Sequence, residues 1–197
     1  IMHKNIGVLA LQGDFAKHQT MLRLLKVETV LVKKPEDLHR CAGLIIPGGE
    51  STTLTKLLRK GNLYEPIREF AKKSPIMGTC AGAIMVSSTI DDNRIKPLRL
   101  IDISITRNAY GRQIDSFITH VDVTFIKGSE RFKTVFIRAP KIRSVGSQVE
   151  VLLELHGSPI MVQENNVLAL TFHPELTDDP RIHKYFLEHF LALQTVV

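Results

Sequence analysis

Pro75-Ile76-Met77-Gly78-Thr79-Cys80-Ala81-Gly82-Ala83 decides how the rest of the chain reads. A short apolar strand runs into a tight turn with Cys80 at its apex, and a helix follows at once. Glycine stands two residues before the cysteine and two after it. That is the G-x-nucleophile-x-G spacing of a nucleophile elbow, with a thiol in place of a hydroxyl. An elbow holds its nucleophile in a strained backbone conformation, and side chains two positions away would collide. The sulfur is thereby lifted clear of the sheet. The N–H of Ala81 and the helix start face any negative charge developing beside it, and a helix end favours the reactive thiolate. Most lone cysteines are small apolar core residues. The elbow reading therefore needs a base, and the base needs an orienting partner.

Upstream, the chain alternates strands and helices. Residues 5–11 are a continuous apolar run, as expected of a central parallel strand covered on both faces. Gln12-Gly13-Asp14 is the turn after it, with Asp14 placed to cap the next helix. Phe15, His18, Leu22 and Leu25 mark that helix's buried face, and His18 reads as a core histidine rather than a ligand. Residues 28–32 form a second strand, 35–39 a helical turn and 43–47 a third strand. The third strand ends in Gly48-Gly49-Glu50-Ser51-Thr52-Thr53. An ordinary strand-to-helix turn capped by Ser51 or Thr52 explains the helix start but not the glycine pair. Two glycines let backbone N–H groups approach a ligand. Helices over 54–59 and 63–73 precede the Cys80 strand, and the elbow helix spans 81–88.

Downstream the pattern changes to strands, at 98–106, 116–125, 134–138, 149–155, 160–163 and 167–172. They extend the sheet and add a small antiparallel piece. A helix over 179–193 closes the chain, with Ile182, Phe186, His189 and Leu193 as its buried stripe. The fold class is α/β, a mostly parallel central sheet flanked by helices. No repeat or linker divides the chain, so residues 1–197 read as one domain.

The last strand ends in His173-Pro174-Glu175. Pro174 cannot continue a ladder, and alternation puts His173 and Glu175 on one side. That suits a carboxylate orienting an imidazole that activates a thiol. A histidine and a glutamate after a strand are also ordinary surface residues. Position joins the parts: Cys80, Gly48-Gly49 and His173-Pro174-Glu175 each fall at a strand's carboxyl end, where open α/β sheets bind ligands.

The totals bound the partners. The 197 residues are 44% hydrophobic and 23% charged, with formal net charge +6 and no tryptophan. The basic residues are scattered and not interleaved with aromatics, so neither nucleic acid nor a membrane is the expected partner. An acidic partner or a phosphorylated substrate explains the charge equally well. Cys41 and Cys80 make neither a disulfide framework nor a metal-binding pair, and Cys41 reads as packing. The first apolar run is too short for a signal segment, and no stretch reaches transmembrane length. A reducing, cytoplasmic setting follows.

Pro47-Gly48-Gly49-Glu50-Ser51, Gly78-Thr79-Cys80-Ala81-Gly82 and Phe172-His173-Pro174-Glu175 together resemble the three signatures of class I (triad) glutamine amidotransferases. Arg107-Asn108-Ala109-Tyr110-Gly111-Arg112-Gln113, Asp115-Ser116-Phe117 and Phe136-Ile137-Arg138-Ala139-Pro140 narrow the resemblance. So do Leu11-Gln12-Gly13-Asp14 and His173-Pro174-Glu175-Leu176-Thr177-Asp178. All are similar to the glutaminase-subunit (PdxT, or SNO) family of pyridoxal 5'-phosphate synthase. The likeness spans residues 6–190. It implies a three-layer amidotransferase-like fold in which Cys80 attacks the side-chain amide of L-glutamine, His173 is general base and then acid, and Glu175 holds the imidazole. It implies an oxyanion hole at Gly49 and Ala81, and glutamine bound by Gly49, Glu50, Ser51, Arg107, Ile137 and Arg138. A guanidinium fork suits the substrate α-carboxylate, although surface salt bridging also accounts for Arg107 and Arg138. The resemblance implies no metal and no organic cofactor. It also implies that ammonia is channelled to a (β/α)₈ synthase subunit of PdxS/SNZ type, whose docking orders the oxyanion loop. Residues 87–99 depart from the family pattern, being compact and carrying Arg94, Lys96 and Arg99.

Two other readings compete. A triad amidotransferase could feed a different synthase, such as the imidazole glycerol phosphate one. The segments around Arg107 and Arg138 argue against that. A non-catalytic α/β binding module has no need of Cys80, His173 and Glu175 together.

Overall fold

The computed structural model describes residues 5–107, 116–126, 131–193 and 195. Strands and helices alternate first: β1 (Ile6–Leu9), α1 (Phe15–Leu24), β2 (Thr29–Val32), β3 (Gly43–Ile46), α2 (Ser51–Lys60), α3 (Tyr64–Ala71), β4 (Ile76–Thr79) and α4 (Ala81–Val86). Then follow β5 (Ser87–Ile90), β6 (Ile101–Thr106), β7 (Ser116–Asp122), β8 (Arg131–Ile137), β9 (Lys141–Val145), β10 (Glu150–Leu155), β11 (Ser158–Glu164), β12 (Val167–Leu170) and α5 (Arg181–Leu191). The seven-stranded main sheet has the order β10-β11-β12-β4-β3-β1-β2. From β12 to β2 every pairing is parallel, and β10 and β11 add an antiparallel edge. The fold is α/β, a large mostly parallel sheet flanked by helices.

Alternation along the short strands feeds two cores. Leu44 and Ile46 point into one with Leu54, Leu58 and Ile67 of α2 and α3. Ile45 and Met77 point into the other with Leu22 of α1 and Phe186 of α5. Both faces being buried, the strands read as unbroken apolar runs. No helix among the described residues is long and apolar enough to cross a membrane.

The additions form two further sheets, β5-β6-β9 and the hairpin β7-β8. Strands β5 and β9 were not expected from the sequence. The elbow helix stops at Val86, two residues early, because Ser87 turns extended and its hydroxyl donates to the Ile84 carbonyl at 2.7 Å. The compact stretch 87–99 then packs onto the body through buried Ile95 and Leu98. Tyr64 Oη donates to Lys96 O at 2.8 Å, and Arg68 Nε to Leu98 O at 3.0 Å.

Other expectations need correction. The α2 cap is Glu50, not Ser51 or Thr52; its carboxylate accepts from the N–H groups of Thr52 and Thr53. Asp14 precedes α1 but makes no side-chain cap; its carbonyl accepts from Lys17 and His18. On α5 the buried stripe is Ile182, His183, Phe186, Leu187 and Leu191, while His189 faces outward and stacks on Tyr185. Cys41 is half-buried against Gly7, and burial pushes its thiol up to about 11, which keeps it unreactive.

Strands β4 and β12 start from one anchor. Asn166 Nδ2 donates to the carbonyls of Ala71 and Ser74 at 2.6 and 2.9 Å, and Asn166 O accepts from Ile76 N at 3.0 Å.

Candidate active site

Because β12, β4 and β3 are adjacent and parallel, their carboxyl ends emerge side by side. These ends carry His173, Cys80 and the Gly48-Gly49 loop. Cys80 N donates to Leu170 O at 2.8 Å, which ties the elbow to β12. Cys80 itself has φ 50° and ψ −108°, a conformation costly for any residue with a side chain. The flanking glycines leave no alternative. A Cβ on Gly78 would stand 2.5 Å from Gly82 O, and one on Gly82 would stand 1.9 Å from Ile46 O. Gly48 makes room in the same way: its Cβ would meet His173 Cε1 at 2.5 Å.

His173 Nδ1 lies 2.7 Å from Glu175 Oε1, Cys80 Sγ points to the Ile137 carbonyl at 3.9 Å, and Cys80 stands close enough to the ring to favour its charged form. The three residues are 4%, 2% and 6% exposed for His173, Glu175 and Cys80, so water competes little. Burial opposes charge on His173. Hydrogen bonds and attraction from Cys80 and Glu175 outweigh it and push the imidazole up to about 10. The backbone path differs from simple strand alternation. The strand ends at Leu170, and Pro174–Leu176 is a 3₁₀ turn that folds Glu175 back under the ring. His173 N is anchored on Val135 O of β8 at 2.8 Å, and Phe172 packs against Phe132 and Phe136.

A cleft of about 200 Å³ opens over this row. That is below the ~300–1,000 Å³ of drug-sized pockets and suits a small substrate. Of the residues singled out in the sequence, Gly49, Glu50, Ser51, Cys80, Ala81, Arg107, Ile137, Arg138 and His173 line it. Glu175 lies buried behind His173. Arg107 donates to Asp92 at 2.8 Å and to Glu50 at 3.2 Å, so it is both ion-paired and part of the cleft wall. Partial burial opposes the charge of Glu50, but hydrogen bonds from Thr52 and Thr53 hold it at about 2. Asp92 is held well below the carboxylate range by Arg94 and Arg107. Residues 108–115, which carry part of the resemblance, lie outside the described residues.

Several site residues escaped the sequence reading. Gln12 Oε1 accepts from Glu50 N at 2.9 Å and lies against Gly49, whose φ is 145°. Asp14 and Ile84 line the cleft. Gln12 and Asp14 follow β1, the next parallel strand, so the rule that picked the other three strand ends would have found them. Nothing in the local sequence marks Asp92. His18 is wholly buried, as expected, yet its Nε2 lies 3.5 Å from Glu175 Oε2. Among the described residues, one group has the donor types for a metal: Asp14, His173 and Glu175, with ligand atoms within 4.8 Å of one another. An ion there would occupy the imidazole.

The model of the SNO glutamine amidotransferase family matches residues 8–192. The pyridoxal 5'-phosphate synthase subunit PdxT of Dictyoglomus turgidum is 50% identical over 185 residues, covering 93% of this chain and 97% of the relative. The protein of the same name from Thermosipho africanus is 48% identical over 184 residues, covering 92% and 96%. A crystal structure described as a glutamine amidotransferase superposes with TM-score 0.87 at 44% identity, covering 93% of this chain and 97% of that one.

Proposed function

The chain belongs to the SNO glutamine amidotransferase family, and on that premise we propose that it is the glutamine-hydrolysing subunit of a pyridoxal 5'-phosphate synthase. The observation that supports this most is the row of Cys80, His173 and Glu175 at neighbouring strand ends, with a small cleft above it. Relatives of near-equal length bear the name of that synthase subunit, which favours it over a glutaminase serving another synthase.

His173 holds the proton it takes from Cys80, in line with its raised proton affinity, and the sulfur attacks the amide carbon of L-glutamine. The tetrahedral oxyanion rests on the N–H groups of Gly49 and Ala81. Donors aimed at charge that exists only in the transition state are worth about 10²–10³-fold in rate. The imidazolium, held by Glu175, returns its proton to the departing nitrogen, and ammonia leaves a glutamyl thioester. Water, activated by the same ring, attacks the thioester; glutamate leaves and the thiol is restored. Glu50 and Ser51 with Arg107, Ile137 and Arg138 hold the amino-acid end of the substrate. Arg107, already balanced by Glu50 and Asp92, meets the α-carboxylate.

The ammonia passes to a barrel-type synthase partner of the PdxS/SNZ kind. Residues 1–197 work as one glutaminase domain in the cytoplasm, where the thiol stays reduced. Neither metal, organic cofactor, nucleic acid nor membrane enters this reading. Ammonia release from glutamine, assayed with and without the synthase subunit, tests it. Cys80→Ala is expected to abolish release while the variant still folds and binds the partner. Full activity in that variant would overturn the assignment.

A further inference from the structure

Two wholly buried histidines, His18 of α1 and His183 of α5, have no part in the reaction as written. His18 Nδ1 and His183 Nε2 are 2.9 Å apart. The other nitrogen of His18, Nε2, hydrogen-bonds Thr79 Oγ1 at 3.3 Å and lies 3.5 Å from Glu175 Oε2. Neither Glu175 Oε2 nor His183 Nδ1 has a hydrogen-bond partner among the described residues. Burial lowers both imidazoles, His183 to about 3, so each ring is neutral and holds one proton.

One proton must lie in the 2.9 Å contact, since two would clash and none would set lone pair against lone pair. If His18 supplied it, His183 would carry its own proton on Nδ1, a buried N–H without an acceptor. The bare Nε2 of His18 would then accept from the Thr79 hydroxyl and leave Glu175 Oε2 without a donor. Both penalties vanish when His183 Nε2–H donates to His18 Nδ1. His183 then leaves only a lone pair unmet, a cheaper vacancy than an orphaned donor. His18 is thereby forced to carry its proton on Nε2, toward Glu175.

We propose that His18, locked in its Nε2–H tautomer by His183, is a positioning residue that holds the second oxygen of Glu175. Glu175 Oε1 is thereby kept on His173, and the order of donation is His183 to His18 to Glu175, with His173 donating from the other side. Among the described residues Asp14 also brings a carboxylate oxygen within 4.8 Å of Glu175, so a neutral donor at Oε2 offsets carboxylate crowding. The 3.5 Å separation is longer than a formed hydrogen bond. On this proposal it shortens in the substrate complex, as catalytic hydrogen bonds that are long in ligand-free sites often do. The kinetic part of the proposal rests on the glutaminase reading; the tautomer part does not.

Two measurements decide it. Nitrogen-15 NMR of histidine-labelled protein should show His18 and His183 neutral at pH 7, each protonated at Nε2. A proton on His18 Nδ1 overturns the proposal. In the assembled synthase, His18→Leu should lower kcat about tenfold with KM little changed, the rate equivalent of one charge-assisted hydrogen bond. His18→Gln, whose amide N–H can occupy the place of Nε2–H, should recover most of that loss. A folded Gln variant no better than the Leu variant overturns the proposal. Should the wild-type complex release no ammonia from glutamine, the functional reading fails, and the tautomer measurement still decides the proton arrangement.

Discussion

The back wall of the cleft and its rim are built on opposite terms. At the back, the His173 and Glu175 side chains are 5% and 0% exposed and sit on backbone fixed by three parallel strands. At the rim, the Glu50 side chain is 44% exposed and the Arg107 side chain 20%, and they meet across loops. A polar contact is strong where water is excluded; exposed ion pairs are screened and worth little. The difference separates turnover from grip: the wall sets the proton transfers, and the rim sets how the substrate is held.

Substitutions can break or sharpen that division. Glu175→Gln keeps the shape of the wall but removes the charge that supports the imidazolium. A fall in kcat of about 10³–10⁴-fold is expected from steady-state ammonia release; a fall of tenfold or less would mean that the wall does not depend on charge. Gly82→Ala drives a methyl group into the Ile46 carbonyl, 1.9 Å from the new Cβ. Thermal unfolding should register a loss of about 1–3 kcal/mol together with lost turnover. Arg107→Met should raise KM about 10–100-fold while kcat stays within about threefold, since it touches the rim alone. A large kcat effect there would erase the distinction.

The smallest expected effect is on pH-dependent stability, and it divides the wall itself. His183 is depressed to about 3 and His18 is also lowered, against about 6.5 unfolded. Their stabilisation is present above pH 6.5 and is lost as pH falls below it, down to about 3 in the case of His183. His173 is raised to about 10, so its contribution is full below pH 6.5 and is lost as pH rises through 10. Chemical denaturation across pH should show the acid limb flattened in His183→Leu and the alkaline limb untouched.

Legibility in the sequence followed the same division. The elbow, the glycine loop and the His173 turn were readable because each is a local pattern at a strand end, and the strands that carry them, β3, β4 and β12, lie side by side in parallel. The rim was less so. Asp92 reaches Arg107 across 15 positions, and no local spacing marks such a pair. Strand β9 alternates only weakly, with Ile142 its one buried residue, so its identity comes from pairing with β6. His18 looked like an ordinary core residue because its partners, Glu175 and His183, lie at the far end of the chain.

Asn166 fastens the starts of β4 and β12 to one point, and both strands then run four residues, with Leu170 beside Thr79. Cys80 consequently emerges one residue past that last pair and His173 three residues past it, on neighbouring strands. Inserting one residue in either stretch would slide one arm by ~3.3 Å and turn its side chains to the opposite face. The distance along the chain from Asn166 to the imidazole, and from Ile76 to the sulfur, is therefore a dimension that length variation in this protein cannot touch, whatever happens in its outer loops.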